Sequence, residues 1–70
     1  MLDKSALGLT IRTGRKSKRL TQDQLSSKTG LSRNYLSDVE NGRYAPSLAA
    51  LTRIAEQLDL DLNILKSLIS

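Results

Sequence analysis

Apolar residues recur along this chain at intervals of three and four, and nowhere do they alternate with polar residues over the length of a strand. The pattern therefore predicts helices throughout. In the first, from about Ser5 to Lys18, Leu7 and Ile11 stand one turn apart on the buried side. Gly14 falls where that stripe would continue, and a mid-helix glycine costs about 1 kcal/mol relative to alanine. Arg19 occupies the place where a glycine would normally end the helix. Together they predict a helix end that frays or bends. Thr21 is an N-cap for a second helix, about Gln22 to Thr29, whose apolar contact is Leu25. Gly30 supplies the left-handed backbone that stops it, and Leu31 plugs the core. Ser32 caps a third helix running to about Asn41, with Leu36 and Val39 inward and Gly42 at its end. The loop Arg43-Tyr44-Ala45-Pro46 interrupts helical structure. Ser47 caps a fourth helix to about Leu58, with Leu48, Leu51, Ile54, Ala55 and Leu58 as its buried stripe. Leu60 plugs the next connection, and Asp61 caps a short fifth helix through about Leu68.

Such a chain of 70 residues is all-α and makes one domain, 1–70, with its core in 5–65. A domain this small buries only about 60% of the surface its unfolded form exposes, so its stability amounts to a few kcal/mol. Pairing with a second copy is the expected source of further support. Once Leu62 and Leu65 are assigned to the core, Ile64, Leu68 and Ile69 remain at the C-terminus. An apolar cluster of this kind marks an interface, which makes 61–69 a candidate dimerisation helix. The alternative is that the three residues close the monomer core.

Composition narrows the chemistry. The sequence has neither cysteine nor histidine. That removes disulfides, the commonest metal ligands and the commonest general base. With no phosphate-cradling glycine loop and no carboxylate pair placed in a cleft, an enzyme is not expected, nor is a metal or cofactor. No signal peptide or membrane span is visible, so the expected location is the cytoplasm. The net charge of +4 is unevenly spread. Up to Arg43, nine Lys or Arg face only Asp3, Asp23, Asp38 and Glu40, while the remainder of the chain carries a net of minus one. Positive charge thus accompanies the second and third helices and favours an anionic partner. Arg12, Lys16, Lys18 and Arg19, on or just past the first helix, are expected to steer that partner in a general way.

Two short helices joined by a glycine turn form a unit that can push its second helix into the major groove of DNA. Advancing the third helix by 100° per residue places Arg33, Asn34, Ser37, Asp38 and Asn41 on the face opposite Leu36 and Val39, with Tyr35 at the margin. Amphipathicity alone would suit a purely structural helix; the residue types say more. Arg can grip guanine O6 and N7 with two hydrogen bonds, and Asn can do the same with adenine N6 and N7. Arg33, Asn34 and Ser37 are therefore candidate base readers. Asp38 can accept from cytosine N4 or orient Arg33 or Arg43; otherwise it is a solvated charge at the groove edge. Backbone N–H groups at the start of the second helix, near Thr21 and Gln22, suit a phosphate. Arg43 and Tyr44 would touch the DNA backbone on the other side. Ser32, Tyr35 and Asn41, flanking the reading positions, complete the candidate backbone contacts.

The stretches IRTGRKSKRLTQDQL, KTGLSRNYLSDVENGR and PSLAALTRIAEQL, spanning about Leu7 to Leu65, resemble the phage-repressor-like helix-turn-helix family of the Cro or XRE type. The resemblance implies a compact five-helix, lambda-repressor-like domain with the helix-turn-helix at helices 2 and 3. It also implies a regulator of transcription, a repressor or autoregulator, that binds a palindromic operator as a homodimer. By resemblance Gln22 lies at the phosphate-contacting start of helix 2, and Arg33, Asn34 and Asp38 fall on base-facing positions. Arg15 and Glu40 align with a salt bridge known in some members. The chain departs from the pattern at Ser26, where a small Ala is usual, and at Gly14, Arg19 and Asp59. An antitoxin or other module whose main partner is a protein is the alternative reading.

Overall fold

Every helix of the computed structural model, which describes residues 3–69, begins on a side chain that accepts a hydrogen bond from its own first turn. Asp3, Thr21, Ser32, Ser47 and Asp61 are the five N-caps, and such a cap is worth about 1 kcal/mol. The helices are α1 (Lys4–Ser17), α2 (Gln22–Thr29), α3 (Arg33–Glu40), α4 (Leu48–Leu58) and α5 (Leu62–Ser67). Their apolar faces meet in one core of Leu7, Ile11, Leu25, Leu36, Val39, Leu51, Ile54, Ala55, Leu58 and Leu65. The radius of gyration is 10.5 Å, against about 11 Å expected of a single packed domain of this length. Among the described residues, no helix is long and apolar enough to cross a membrane.

The helix ends share one device. After α2 and α3 the chain turns through left-handed Gly30 (φ 75°) and Gly42 (φ 72°). After α1 and α4 it does so through Arg19 (φ 57°) and Asp59 (φ 55°), residues for which that conformation is strained. Leu20 N–H then reaches back to Arg15 O at 3.1 Å, and Leu60 N–H to Ala55 O at 3.0 Å, satisfying carbonyls that the helix leaves open. An ion pair between Lys18 and Asp59 joins the two strained ends. The expected fraying of helix 1 is therefore corrected: α1 runs unbroken through Gly14 and closes through Arg19. The space left by Gly14 is filled from outside, since a Cβ there would lie 3.2 Å from a methyl of Leu60.

Two other expectations change. Leu48, assigned to the buried stripe of helix 4, is 58% exposed, and Ala50 is buried instead. On the helical wheel the buried arc runs from Ala50 to Ala55 and holds Leu51, Ile54 and Leu58; Leu48 falls just outside its margin, roughly 90° from its centre, and is the first residue of the helix. Of the proposed dimer residues, Ile64 is 59% exposed, but Leu68 and Ile69 are half-buried and pack against the core. Asp3 N–H donates to Leu68 O at 2.6 Å, tying the start of α1 to the end of α5.

One close approach holds α3 in place. At Gly8, α1 comes so near α3 that a Cβ would sit 2.5 Å from the carbonyl oxygens of both Val39 and Glu40. These are backbone atoms and cannot step aside, so only glycine fits.

Candidate nucleic-acid interface

The turn between α2 and α3 is fixed by short polar links. Gly30 N–H donates to Ser26 O at 2.9 Å. Ser26 Oγ donates to Leu31 O, so the serine at this close-packed position does more than fit. Thr29 Oγ1 donates to Leu25 O at 2.8 Å and accepts from Leu31 N–H at 3.2 Å. Leu31 is thereby held against the core, and α3 leaves the turn in a set direction.

Behind α3 lies a buried carboxylate. Glu40 is 4% exposed and accepts from Arg15 Nε at 2.7 Å and from Arg15 Nη2 at 3.0 Å, a two-pronged pair with an arginine that is itself 9% exposed. Gln22 Nε2 adds a bond at 3.2 Å, and Arg12 Nε lies 3.6 Å away. Arg15 Nη1 also donates to Leu20 O at 2.8 Å. Burial pushes the Glu40 carboxyl up, but hydrogen bonds from Arg15 and Gln22 and the charges of Arg15 and Arg12 outweigh it and hold the group below the usual carboxylate range. One acidic group thus joins α1, α2 and α3. Arg12 Nη2 also donates to Asn41 Oδ1 at 2.8 Å, gripping the end of α3 directly.

Arg33 and Asn34 are exposed at the first turn of α3, Asn41 is exposed at its end, and Ser37 and Asp38 are half-buried along its side. Arg33 Nε lies 3.7 Å from Asp23 Oδ1 on α2. Asp38 Oδ1 lies 3.4 Å from Arg43 Nε, so of its two possible arginine partners the carboxylate meets Arg43. Ser37 Oγ accepts from Asn41 Nδ2 at 3.4 Å. Ser32 Oγ accepts from Tyr35 N–H at 3.0 Å as the cap of α3. The Tyr35 hydroxyl accepts from Ser47 N–H at 3.2 Å, and its ring leans on Tyr44 with centroids 5.6 Å apart. Partial desolvation, aided by the charge of Asp38, pushes the Tyr44 phenol up.

The start of α2 opens onto a shallow concavity of about 540 Å³ whose rim includes Lys16, Arg19 and Arg33. Thr21 and Gln24 form a reciprocal capping box there. Thr21 N–H donates to Gln24 Oε1 at 2.8 Å, so it is not available to a ligand. The unengaged backbone donors are those of Gln22 and Asp23, one residue further along than the sequence indicated. The positive end of the helix dipole reinforces them. Four participants escaped the sequence reading: Gly8, the Gln22–Glu40 bond, the Asp23–Arg33 pair and Arg12, which was expected only to steer a partner but is bonded to Asn41 beside Glu40. Only Gly8 left a signal, a glycine on the inner face of a helix, which marks a close backbone approach.

The sequence profile described as Helix-turn-helix (HTH_3) matches residues 11–65, which is most of the chain. The chain belongs to the helix-turn-helix family. That family, of the XRE or Cro type, comprises DNA-binding regulators of transcription and not enzymes. This helix-turn-helix chain is 53% identical over 66 residues to the "ImmF control region 10 kDa protein" of Bacillus phage phi105, a match covering 94% of the chain and 73% of that relative. It is 44% identical over 57 residues to the "Immunity repressor protein" of the same phage, covering 81% of the chain but 40% of the repressor. Among solved structures it is similar to the restriction-modification controller protein C.AhdI from Aeromonas hydrophila. There the TM-score is 0.83 at 33% identity, covering 90% of this chain and 96% of that one. The five-helix domain is thus the fold of this family.

Proposed function

We propose that this helix-turn-helix chain binds a palindromic operator as a homodimer in the cytoplasm and acts as a repressor or autoregulator. The observation that carries the reading is the pair Arg33 and Asn34, exposed at the start of a helix whose other face is locked by the buried Arg15–Glu40 pair. Arg33 and Asn34 read base edges in the major groove, Ser37 adds a donor or acceptor beside them, and Asp38 fixes Arg43 as its guanidinium meets the backbone. One phosphate sits at the N–H groups of Gln22 and Asp23, with Thr21 and Ser32 at its margins. Asn41, Tyr35 and Tyr44 border the opposite strand. The relatives named for an immunity control region and an immunity repressor support repression as the output.

A single motif reads too few base pairs to select a site, whereas a twofold dimer reads two half-sites about 34 Å apart. Exposed Ile64 is the centre of the proposed dimer face, with the outer edges of Leu68 and Ile69 beside it. Selection of bound duplexes from a random pool tests the whole reading: a twofold-symmetric consensus is expected, and recovery of no enriched sequence would refute it. Sedimentation of Ile64→Asp tests the dimer face separately. An unchanged mass would remove Ile64 from it.

A further inference from the structure

Two carboxylates stand on a surface that otherwise attracts phosphate, and both sit against an arginine. Asp38 Oδ1 lies 3.4 Å from Arg43 Nε, and Asp23 Oδ1 lies 3.7 Å from Arg33 Nε. In each pair the nitrogen that meets the carboxylate is Nε, the one nearest the side-chain stem. Among the described residues the two terminal amino groups make no hydrogen bond, and that fork matches O6 and N7 of guanine. Asp23 is in the first turn of α2 and Arg33 is the first residue of α3. The turn between them is locked by Gly30 and the Ser26–Leu31 bond, so their separation belongs to the rigid two-helix unit. Restraining a long side chain before contact reduces the ordering that binding must impose. Yet Asp23 also borders the phosphate-facing N–H groups, where its charge weakens attraction to DNA of any sequence.

We propose that Asp23 is a positioning residue for base recognition: it aims the guanidinium fork of Arg33 at a guanine while weakening general attraction to DNA. This rests on Arg33 being a base reader. The inference has a two-sided signature, because loss of Asp23 lowers discrimination and strengthens non-specific binding together. A carboxylate serving only the dipole of α2 would alter the melting temperature and leave discrimination untouched.

The test uses the duplex recovered by selection from a random pool, its variants at the base pair that Arg33→Ala relaxes, and a scrambled duplex. Affinities are measured by fluorescence anisotropy for the native chain, Asp23→Ala, Arg33→Ala and the double variant. All three variants alter exposed side chains, and circular dichroism melts verify that each is folded. Asp23→Ala is expected to lower the preference for guanine about two- to fivefold, the range of an exposed ion pair, while scrambled duplex binds more tightly. In the Arg33→Ala background, Asp23→Ala is expected to leave the base preference unchanged. If Arg33→Ala relaxes a base pair and Asp23→Ala does not, the positioning role is overturned and the reading of Arg33 stands. If Arg33→Ala relaxes no base pair, both fall.

Discussion

Replacing Arg15 by Leu leaves the Glu40 carboxylate in the interior without its main partner. The guanidinium supplies Glu40 with bonds of 2.7 and 3.0 Å and Leu20 O with one of 2.8 Å, and the Glu40 side chain has no accessible surface. Breaking one partner out of a buried pair costs about 3–5 kcal/mol. Gln22 at 3.2 Å and Arg12 at 3.6 Å remain, which puts the expected loss near the lower end, about 3 kcal/mol. At roughly 0.05–0.15 kcal/mol per residue the whole domain holds only about 4–10 kcal/mol, so the variant is marginally folded. Urea titration followed by circular dichroism measures this. The pH dependence gives a second reading. In the native chain the Glu40 carboxyl lies below its ordinary 4.5. The unfolded chain therefore binds more protons just below that pH, and stability falls as pH falls through the folded value. In Arg15→Leu burial dominates and raises the carboxyl, so between the ordinary value and the raised one stability falls as pH rises. The gap between variant and native chain is expected to narrow at acid pH, and Arg15→Leu with Glu40→Leu is expected to regain most of the loss at pH 7. A cost under about 1 kcal/mol for Arg15→Leu at pH 7, or no recovery in the double variant, would refute the argument.

Four further outcomes are expected. Gly8→Ala forces a methyl against two backbone carbonyls and is expected to unfold the domain or displace α1. Gly14→Ala meets only the movable end of Leu60 and gains helix propensity, so its midpoint in urea stays within about 1 kcal/mol of the native one. Arg33→Ala is expected to weaken operator binding by about 1–3 kcal/mol and relax preference at one base pair; equal loss on every duplex would make Arg33 a phosphate contact. Arg19→Gly relieves a left-handed arginine and is expected to raise stability by up to about 1 kcal/mol, read from its thermal midpoint, while binding to scrambled DNA falls with the lost charge.

The helices could be read from the sequence because their boundaries are written in local chemistry. Thr21, Ser32, Ser47 and Asp61 accept from the turns they begin, and Gly30, Gly42 and Pro46 stop what precedes them. The outward side chains of α3 were legible too, since a helical wheel needs only the register. What each touches was not. That Arg33 leans on Asp23, that Asp38 holds Arg43, and that Gln22 reaches Glu40 depend on how α1, α2 and α3 are set against one another. Leu48 misled because hydrophobicity records a tendency to be buried, whereas its angle and its place in the first turn expose it. Arg19 and Asp59 misled for the opposite reason: tertiary packing holds both in a conformation that propensity disfavours.

Within α3, anchoring residues and outward residues alternate inside single turns, Leu36 beside Ser37 and Val39 beside Asp38. The anchors bind this helix to α1 almost backbone to backbone, through Gly8. If Arg33, Asn34 and Ser37 read bases as proposed, exchanging them would rewrite the molecule's address and leave its architecture alone. On that reading a duplicated copy of such a gene would drift towards a new target by three changes on one helix while inheriting the sturdiness of its parent.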